Sequence, residues 1–369
     1  MTRPYAYDDT ATALFRPAAG LEPDDFFAQW TDEDAACDAL LAAELSRLVY
    51  ASPAVVEAAL PRVGLALVRW IGGVGRFGRR QEDAAEGFVA IDGNGRACVV
   101  FRGTEASKLE DVIADLMTAQ VPWQGGGRVH RGFAYAYGRV RDELAQTLAA
   151  LRPPRVIYTG HSLGAALATL AAAEHTAPAR LVTFGSPRVG DLAFVATRLN
   201  AVDIVRVVGC CDIVTRLPPS EFSRDQLHTL FMELYVGDGI AAGTLARAAP
   251  VLAATLRRAF GDPRFAHAGR ARYIDRHGVL HRIYAEEFVH ADQTAARAAY
   301  AAHHHTGSAP VPPRLFRNWP APDSLAAFLA MSLATLRNGT VPLRDLADHA
   351  PINYLGAIAR AVRDASGIG

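Results

Sequence analysis

Cysteine is scarce in this sequence of 369 residues, which contains only four. Four cysteines are too few for a disulfide scaffold, and their spacing matches no zinc-binding pattern. We therefore interpret them as buried thiols, and we expect neither a bound metal nor an organic cofactor. The four residues are Cys37, Cys98, Cys210 and Cys211.

An excess of charge of either sign is also absent, because 38 Lys and Arg residues balance 38 Asp and Glu residues. This balance argues against a nucleic-acid partner and against binding to a strongly anionic membrane surface. The N-terminal stretch contains acidic residues and lacks the apolar run of a secretory signal peptide. We therefore expect a cytoplasmic protein.

A glycine-flanked serine is the strongest motif in the chain. Ser162 lies in GHSLG, residues 160–164, between a predicted buried strand at 155–158 and a predicted Ala/Leu helix at 163–173. This order is typical of a nucleophile elbow, in which a sharp turn exposes the serine at the top of a sheet. Glycine fits both flanking positions because side chains there would collide with the neighbouring strand and helix. An incidental serine in a glycine turn is the alternative interpretation.

Strands and helices alternate through the middle of the chain. Apolar runs predict strands at 181–184 and 203–208, and a hairpin at 87–101 surrounds the turn sequence DGNG. This alternation predicts an α/β fold with a mostly parallel central sheet flanked by helices. Active sites of such sheets lie at the carboxyl ends of the strands. We expect one domain over residues 31–369, preceded by an N-terminal arm at 1–30.

Element boundaries are also predicted for three further segments. Thr31 and Asp34 fit a capping box that starts a helix running to about residue 50. Residues 64–80 predict a solvated loop or hairpin end, since apolar residues alternate with glycine before a basic cluster. An amphipathic helix is predicted from Phe133 to the paired prolines at 153 and 154.

Two backbone amides are candidates for an oxyanion hole. The strand that ends in Arg102, Gly103 and Thr104 can aim a backbone N–H and the Thr104 hydroxyl at a substrate carbonyl oxygen. The N–H of Leu163, directly after the serine, is the second candidate donor. Capping of the following helix is the alternative role for Thr104.

An acidic residue is expected at the end of a later strand, to orient a histidine beside Ser162. Asp212 follows the strand at 203–208 and comes after the nucleophile, which is the order Ser, Asp, His of the α/β-hydrolases. Asp191, one strand earlier, is the alternative. A plain turn-forming role is also open for an aspartate at a strand end.

Four ordered sequence blocks resemble the class 3 lipases, the fungal-type triacylglycerol lipase family of α/β-hydrolases. The blocks are VVFRGT, VHRGFAYAYGRV, YTGHSLGAALATLAA with TFGSPRVG, and RVVGCCDIVTRLPP. The resemblance covers about residues 35–219 continuously and resumes in pieces to 358. It implies an α/β-hydrolase fold with Ser162 as nucleophile, Asp212 as acid and Thr104 in the oxyanion hole.

The general base is expected after Asp212, where nine histidines are candidates and chain position alone does not choose. The run DHAPINYLGAIARAV resembles the family's terminal block, an Asp-His pair leading into a final helix, and implies His349 as the base. His290 is the alternative, and the resemblance implies a structural role for His267. The triplet at 303–305 is interpreted as a polar loop, because adjacent histidines cannot all point to one metal.

Two stretches, residues 220–263 and 303–345, exceed what compact members of the family need. The first contains an Ala/Leu run that is too short and too broken to indicate a membrane span, and the second contains a predicted helix after residue 322. We expect both to be helical insertions. For the first, packing over the sheet and a cap that roofs an acyl site or meets a membrane surface are the alternatives.

These residues together predict a serine carboxylic-ester hydrolase, a lipase or esterase that cleaves acyl esters of lipids through an acyl-enzyme. A phospholipase A1 or an acyltransferase using the same site is one alternative, and a noncatalytic lipid-binding protein of the same fold is another. The expected partner is a lipid or other apolar ester, with peripheral contact to a lipid surface. The oligomeric state is left open.

Overall fold

The computed structural model describes most of the chain: residue 7 and residues 22–28, 30–31, 34, 36–72, 86–104, 118–175, 178–234, 239–282, 284–304 and 347–366. Most of the predicted N-terminal arm, the segment after Thr104 and nearly all of the second insertion lie outside these residues. In the part that is described, no helix is long and apolar enough to cross a membrane.

Within the described residues, ten strands form one large and one small sheet. The strands are β1 (Leu65–Ile71), β2 (Gly87–Asp92), β3 (Ala97–Phe101), β4 (Gln120–Pro122), β5 (Arg128–His130), β6 (Val156–His161), β7 (Ala179–Phe184), β8 (Asp203–Gly209), β9 (Arg270–Ile274) and β10 (Leu280–His281). The large sheet has the order β1-β2-β3-β6-β7-β8-β9-β10, and β4 pairs with β5 alone. The pairs from β3 to β9 are parallel, and antiparallel strands extend both edges.

Helices cover both faces of the large sheet. The helices are α1 (Asp38–Leu48), α2 (Pro53–Ala59), α3 (Arg131–Gly138), α4 (Arg141–Leu151), α5 (Leu163–Glu174), α6 (Leu192–Arg198), α7 (Arg224–Leu234), α8 (Gly239–Phe260), α9 (Glu286–His304) and α10 (Pro351–Ser366). The predicted α/β fold with a mostly parallel central sheet flanked by helices is confirmed.

The two faces follow from the period of two along each strand. Val99 and Tyr158 pack into a core with α3, α4 and α5. Their neighbours Val100 and Ile157 point to the opposite face, where α1 packs. Both faces are therefore apolar, as expected of parallel strands buried between helices. Helix α10 continues the α1 layer over β7 and β8.

Two predicted boundaries are wrong, and a third is correct only at its start. Residues 65–71 form the edge strand β1, which pairs antiparallel with β2, and not a solvated loop, since the glycines at 64 and 72 adopt positive φ and bound the strand. The rest of this stretch, residues 73–80, lies outside the described residues. The helix expected from Phe133 to residue 152 is split into α3 and α4 by a turn after Gly138. The Thr31–Asp34 capping pair forms as predicted and Asp34 is helical, but the helix is interrupted at Cys37 and continues as α1 from Asp38.

The first insertion contains the helices α7 and α8, as expected. Helix α8 continues through Pro250, where the sequence pattern indicated an interruption. Leu227, Leu230 and Leu252 are buried, and Leu230 joins the core beneath α5. The insertion therefore packs on the body of the protein along part of its length. Whether it also roofs a binding site stays a hypothesis.

Candidate active site

Ser162 occupies a strained turn between β6 and α5. Its backbone has φ 58° and ψ −126°, a positive φ that is uncommon outside glycine. A Cβ added at Gly160 would lie 2.4 Å from the carbonyl carbon of Gly164, and one at Gly164 would lie 2.3 Å from the carbonyl oxygen of Phe101. Only glycine fits these two positions, which explains the GHSLG pattern. Strain of this kind concentrates at functional sites.

Asp212 and His349 meet although 137 residues separate them. Asp212 follows β8, and His349 lies in the turn before α10. The distance between Asp212 Oδ2 and His349 Nδ1 is 2.8 Å, and both residues are buried. A carboxylate oxygen accepts, so Nδ1 carries the proton and Nε2 faces outward from the pair as the basic nitrogen. This is the tautomer that a general base beside a serine requires.

The Asp212 carboxylate receives two further hydrogen bonds. The backbone N–H of Val214 donates to Oδ1 over 2.9 Å, and the Tyr354 hydroxyl donates to Oδ2 over 2.5 Å. Burial, followed by the Asp212 charge, raises the pKa of Tyr354 well above its ordinary value, so its hydroxyl keeps the proton that it donates. These hydrogen bonds hold the Asp212 side chain in one rotamer and stabilise its negative charge in a buried position.

Replacing Tyr354 by phenylalanine is expected to lower kcat for ester hydrolysis by about 10- to 100-fold, because a hydrogen bond to a charged group contributes about 1.5–3 kcal/mol. KM should stay unchanged, since Tyr354 is buried and acts through its hydrogen bond to Asp212. Tyr137→Phe is the matched control, because Tyr137 is also buried but donates to Glu174. Equal losses in both variants would show that Tyr354 supports only the fold.

A second histidine, His161, holds the backbone of His349. Its Nε2 lies 2.6 Å from the His349 carbonyl oxygen, and its Nδ1 lies 3.0 Å from the Tyr50 hydroxyl. The carbonyl accepts from Nε2–H, so Nδ1 accepts from Tyr50. Burial, and then the proximity of His349, lowers the pKa of His161 well below its ordinary value and keeps this ring neutral. His161 therefore positions the base without competing for its proton.

Gly185 sits directly against the Asp212–His349 pair at the end of β7. Its φ is +58°, and an added Cβ would lie 2.8 Å from both Asp212 Oδ2 and His349 Nδ1. A side chain at this position would enter the space between the carboxylate and the imidazole. The close packing of the pair thus depends on a glycine that the sequence motif TFGSPRVG includes but does not explain.

The Gly185→Ala substitution is expected to lower kcat/KM by at least about tenfold and the free energy of unfolding by about 1–3 kcal/mol. The added methyl group would displace His349 or Asp212, and alanine is strained at positive φ. Steady-state kinetics and urea unfolding measure the two effects. Gly93→Ala serves as control, since a Cβ there would meet nothing within 4 Å. Unchanged kinetics in Gly185→Ala would contradict this view of the pair.

The structure also brings the two candidate oxyanion donors to Ser162. A Cβ added at Gly103 would lie 2.6 Å from the carbonyl oxygen of His161 and 3.2 Å from Ser162 Cβ, so the chain leading into Thr104 runs alongside the serine. Leu163 is the first residue of α5, where backbone N–H groups lack partners within the helix. The role of both amides stays a prediction.

Among the described residues, His349 Nε2 is buried and has no hydrogen-bond partner. The backbone N–H of Ser162 donates to the carbonyl oxygen of Phe184. Phe184 directly precedes Gly185, so the serine lies next to the Asp212–His349 pair. Catalytic hydrogen bonds are often long before a substrate binds. Nε2 is therefore available to accept a proton from Ser162.

The alternative residues lie in other settings. Asp191 caps α6 by accepting from Phe194 N at 2.7 Å, which is a structural role. His267 Nε2 contacts the Thr215 carbonyl oxygen at 2.8 Å. His290 is exposed on α9. None of them contacts Asp212 in the part of the chain that is described.

Sequence reasoning missed Tyr50, His161 and Gly185. Tyr50 follows α1 and carries no local signal of function. His161 lies inside GHSLG, but the motif explains only the glycines and the serine. Tyr354 lies in the terminal sequence block, but the block does not indicate its contact with Asp212.

In a comparison with known proteins, residues 98–222 match a family model described as lipase (class 3). A lipase of Rhizomucor miehei is 37% identical over 139 residues, which is 34% of this chain and 38% of the relative. Phospholipase A(1) DAD1 of Arabidopsis thaliana is 39% identical over 88 residues, 21% of this chain and 20% of the relative. The solved Rhizomucor miehei lipase propeptide complex is 25% identical, with a TM-score of 0.43 and coverage of 65% of this chain and 67% of that one.

The resemblance inferred from four sequence blocks is confirmed, since all four fall within residues 98–222. The chain spans 38% and 20% of the lengths of the two curated relatives, well under two thirds of either.

Proposed function

We propose that this chain, whose residues 98–222 match the class 3 lipase family model, is a serine carboxylic-ester hydrolase acting on acyl esters of lipids. One observation supports the proposal above all others. The 2.8 Å contact between His349 and Asp212 lies beside a serine with a positive φ, at the carboxyl ends of β6, β7 and β8. That arrangement suits acyl transfer from an ester to a serine.

The reaction proceeds in two halves. Ser162 Oγ attacks the ester carbonyl carbon while His349 Nε2 accepts its proton, and Asp212 stabilises the imidazolium that results. The amides of Thr104 and Leu163 stabilise the oxyanion. His349 then protonates the leaving alcohol, and an acyl group remains on Ser162. Water, deprotonated by His349, then attacks the acyl carbon and breaks its bond to Ser162 Oγ; His349 returns the proton to Oγ, and the acyl group leaves as a carboxylic acid.

Two lipid substrates are candidates. An acylglycerol is favoured by the similarity to relatives named as lipases, one of them a secreted mono- and diacylglycerol lipase of Fusarium solani. A phospholipid cleaved at its first acyl ester is the second candidate, because two further relatives are named as phospholipases A1. Transfer of the acyl group to an alcohol instead of water would make the protein an acyltransferase. Either lipid substrate involves peripheral contact with a lipid surface.

The proposal is tested by labelling with a fluorophosphonate, mapping of the adduct, and assay on p-nitrophenyl esters, triacylglycerol emulsions and phosphatidylcholine vesicles. We expect the adduct on Ser162 and hydrolysis of at least one lipid. Free fatty acid from the emulsion supports the lipase, and lysophospholipid from the vesicles supports the phospholipase. A protein that binds these vesicles but remains unlabelled and hydrolyses no ester would instead be a noncatalytic lipid-binding protein.

A further inference from the structure

Two consecutive cysteines and an aspartate form a buried cluster beside the candidate active site. The Cys210 and Cys211 sulfurs lie 3.6 Å apart, and both residues are 1% exposed. A carboxylate oxygen of Asp348 completes the cluster, with the three candidate ligand atoms within 4.8 Å of one another. The reaction described above uses none of these three side chains.

The spacing of the two sulfurs suits a shared metal ion. In an extended strand, neighbouring side chains point to opposite faces, which would separate the two thiols. Here both cysteines lie in the turn after β8, and both sulfurs reach the same space. Two sulfurs bound at about 2.3 Å to one tetrahedral zinc ion lie about 3.8 Å apart. The observed 3.6 Å therefore needs almost no change for joint coordination.

We propose that Cys210, Cys211 and Asp348 bind a thiophilic divalent cation such as Zn²⁺ or Cd²⁺. Binding forms two metal–sulfur bonds, breaks two S–H bonds and releases two protons to water. Two thiolates and one carboxylate then surround the divalent charge, and a water molecule can fill a fourth position. Soft sulfur ligands favour such metals over Mg²⁺ or Ca²⁺.

Loss of the two thiol protons leaves the Cys210 thiolate facing the buried Asp292 carboxylate, so the divalent cation must supply the compensating positive charge. Cys210 Sγ donates to Asp292 Oδ2 over 3.2 Å, but that oxygen also accepts from Tyr273 OH at 2.8 Å and from Arg276 N at 3.0 Å. Asp292 thus stays hydrogen-bonded after Cys210 is deprotonated. Cys211 Sγ donates to the Gln293 carbonyl over 3.8 Å, which is a weak contact.

The site links the two segments that carry the acid and the base. Cys211 directly precedes Asp212, and Asp348 directly precedes His349. The Cys211 N–H already donates to Asp348 Oδ2 over 2.9 Å, so the segments are in contact without a metal. A bound cation would cross-link them. Because Asp348 is distant in sequence, no local cysteine spacing could indicate this site.

The proposal is tested by titrating the purified, chelator-treated chain with Cd²⁺. The signal recorded is the ultraviolet thiolate-to-cadmium absorption band. This band reports sulfur ligation, so histidines such as the triplet at 303–305 do not contribute. We expect the band to saturate at one Cd²⁺ per chain and Zn²⁺ to compete. The Cys210→Ser/Cys211→Ser variant should lose the band, whereas the matched Cys37→Ser/Cys98→Ser variant should keep it.

Asp348→Asn separates a three-ligand site from a bare pair of thiols. The amide keeps an oxygen for the Cys211 N–H but is a poor metal ligand, so Cd²⁺ affinity should fall at least about tenfold. Circular dichroism checks that each variant is folded. The proposal is overturned if the wild type shows no band, if the band depends on Cys37 or Cys98, or if Asp348→Asn binds Cd²⁺ as tightly as the wild type. None of these readouts depends on ester hydrolysis.

Discussion

Replacing Ser162 by alanine is expected to lower kcat for p-nitrophenyl ester hydrolysis by about 10⁵- to 10⁶-fold. The substitution removes the nucleophile, so the remaining rate would come only from oxyanion stabilisation and substrate binding. The backbone change is small, because alanine loses only the hydroxyl. At φ 58° alanine is as strained as serine, so the substitution relieves no strain and the turn geometry should persist. Steady-state kinetics and intact-mass detection of the fluorophosphonate adduct measure the result.

Ser52→Ala is the matched control for this experiment. Ser52 precedes α2, is exposed and makes no capping hydrogen bond with its side chain. Its replacement should leave both the rate and the labelling unchanged. If Ser162→Ala still turned over ester near the wild-type rate, the acyl-enzyme mechanism would be wrong, whatever the position of Asp212 and His349.

The elements around Ser162 illustrate what local sequence can predict. The strand expected at 155–158 is observed as Val156–His161, and the helix expected at 163–173 is observed as Leu163–Glu174. An unbroken buried run, two glycines and an Ala/Leu run determine these elements through neighbours in sequence. Edge strand β1 was missed because its exposed residues and bounding glycines resemble a loop.

The contacts that align the site could not be predicted in the same way. Tyr50 reaches His161 across 111 residues, and Tyr354 reaches Asp212 across 142. Each contact depends on how α1 and α10 pack side by side on one face of the sheet. Chain order and a family resemblance indicated Asp212 and His349, but their tautomer and rotamer are set by these distant partners and by the missing side chain at Gly185.

The His349→Ala variant is expected to lose about as much activity as Ser162→Ala, because nucleophile and base act as one unit. Without the imidazole, none of the described side chains beside Ser162 is placed to remove its proton during attack. His161 cannot substitute, since its Nε2 donates to the carbonyl oxygen of residue 349 and its Nδ1 faces Tyr50. Both kcat and the rate of fluorophosphonate labelling should fall, while KM changes little.

His290→Ala is the decisive comparison, because His290 is the other candidate base. It lies exposed on α9, and none of its ring nitrogens contacts Asp212 among the described residues. This variant should keep wild-type kcat and labelling. The opposite pattern, with activity lost in His290→Ala and retained in His349→Ala, would mean that the 2.8 Å contact to Asp212 is structural and that the base comes from elsewhere. The Asp212–His349 contact predicts the first pattern, since the carboxylate fixes Nδ1 as the protonated nitrogen and leaves Nε2 to take the serine proton.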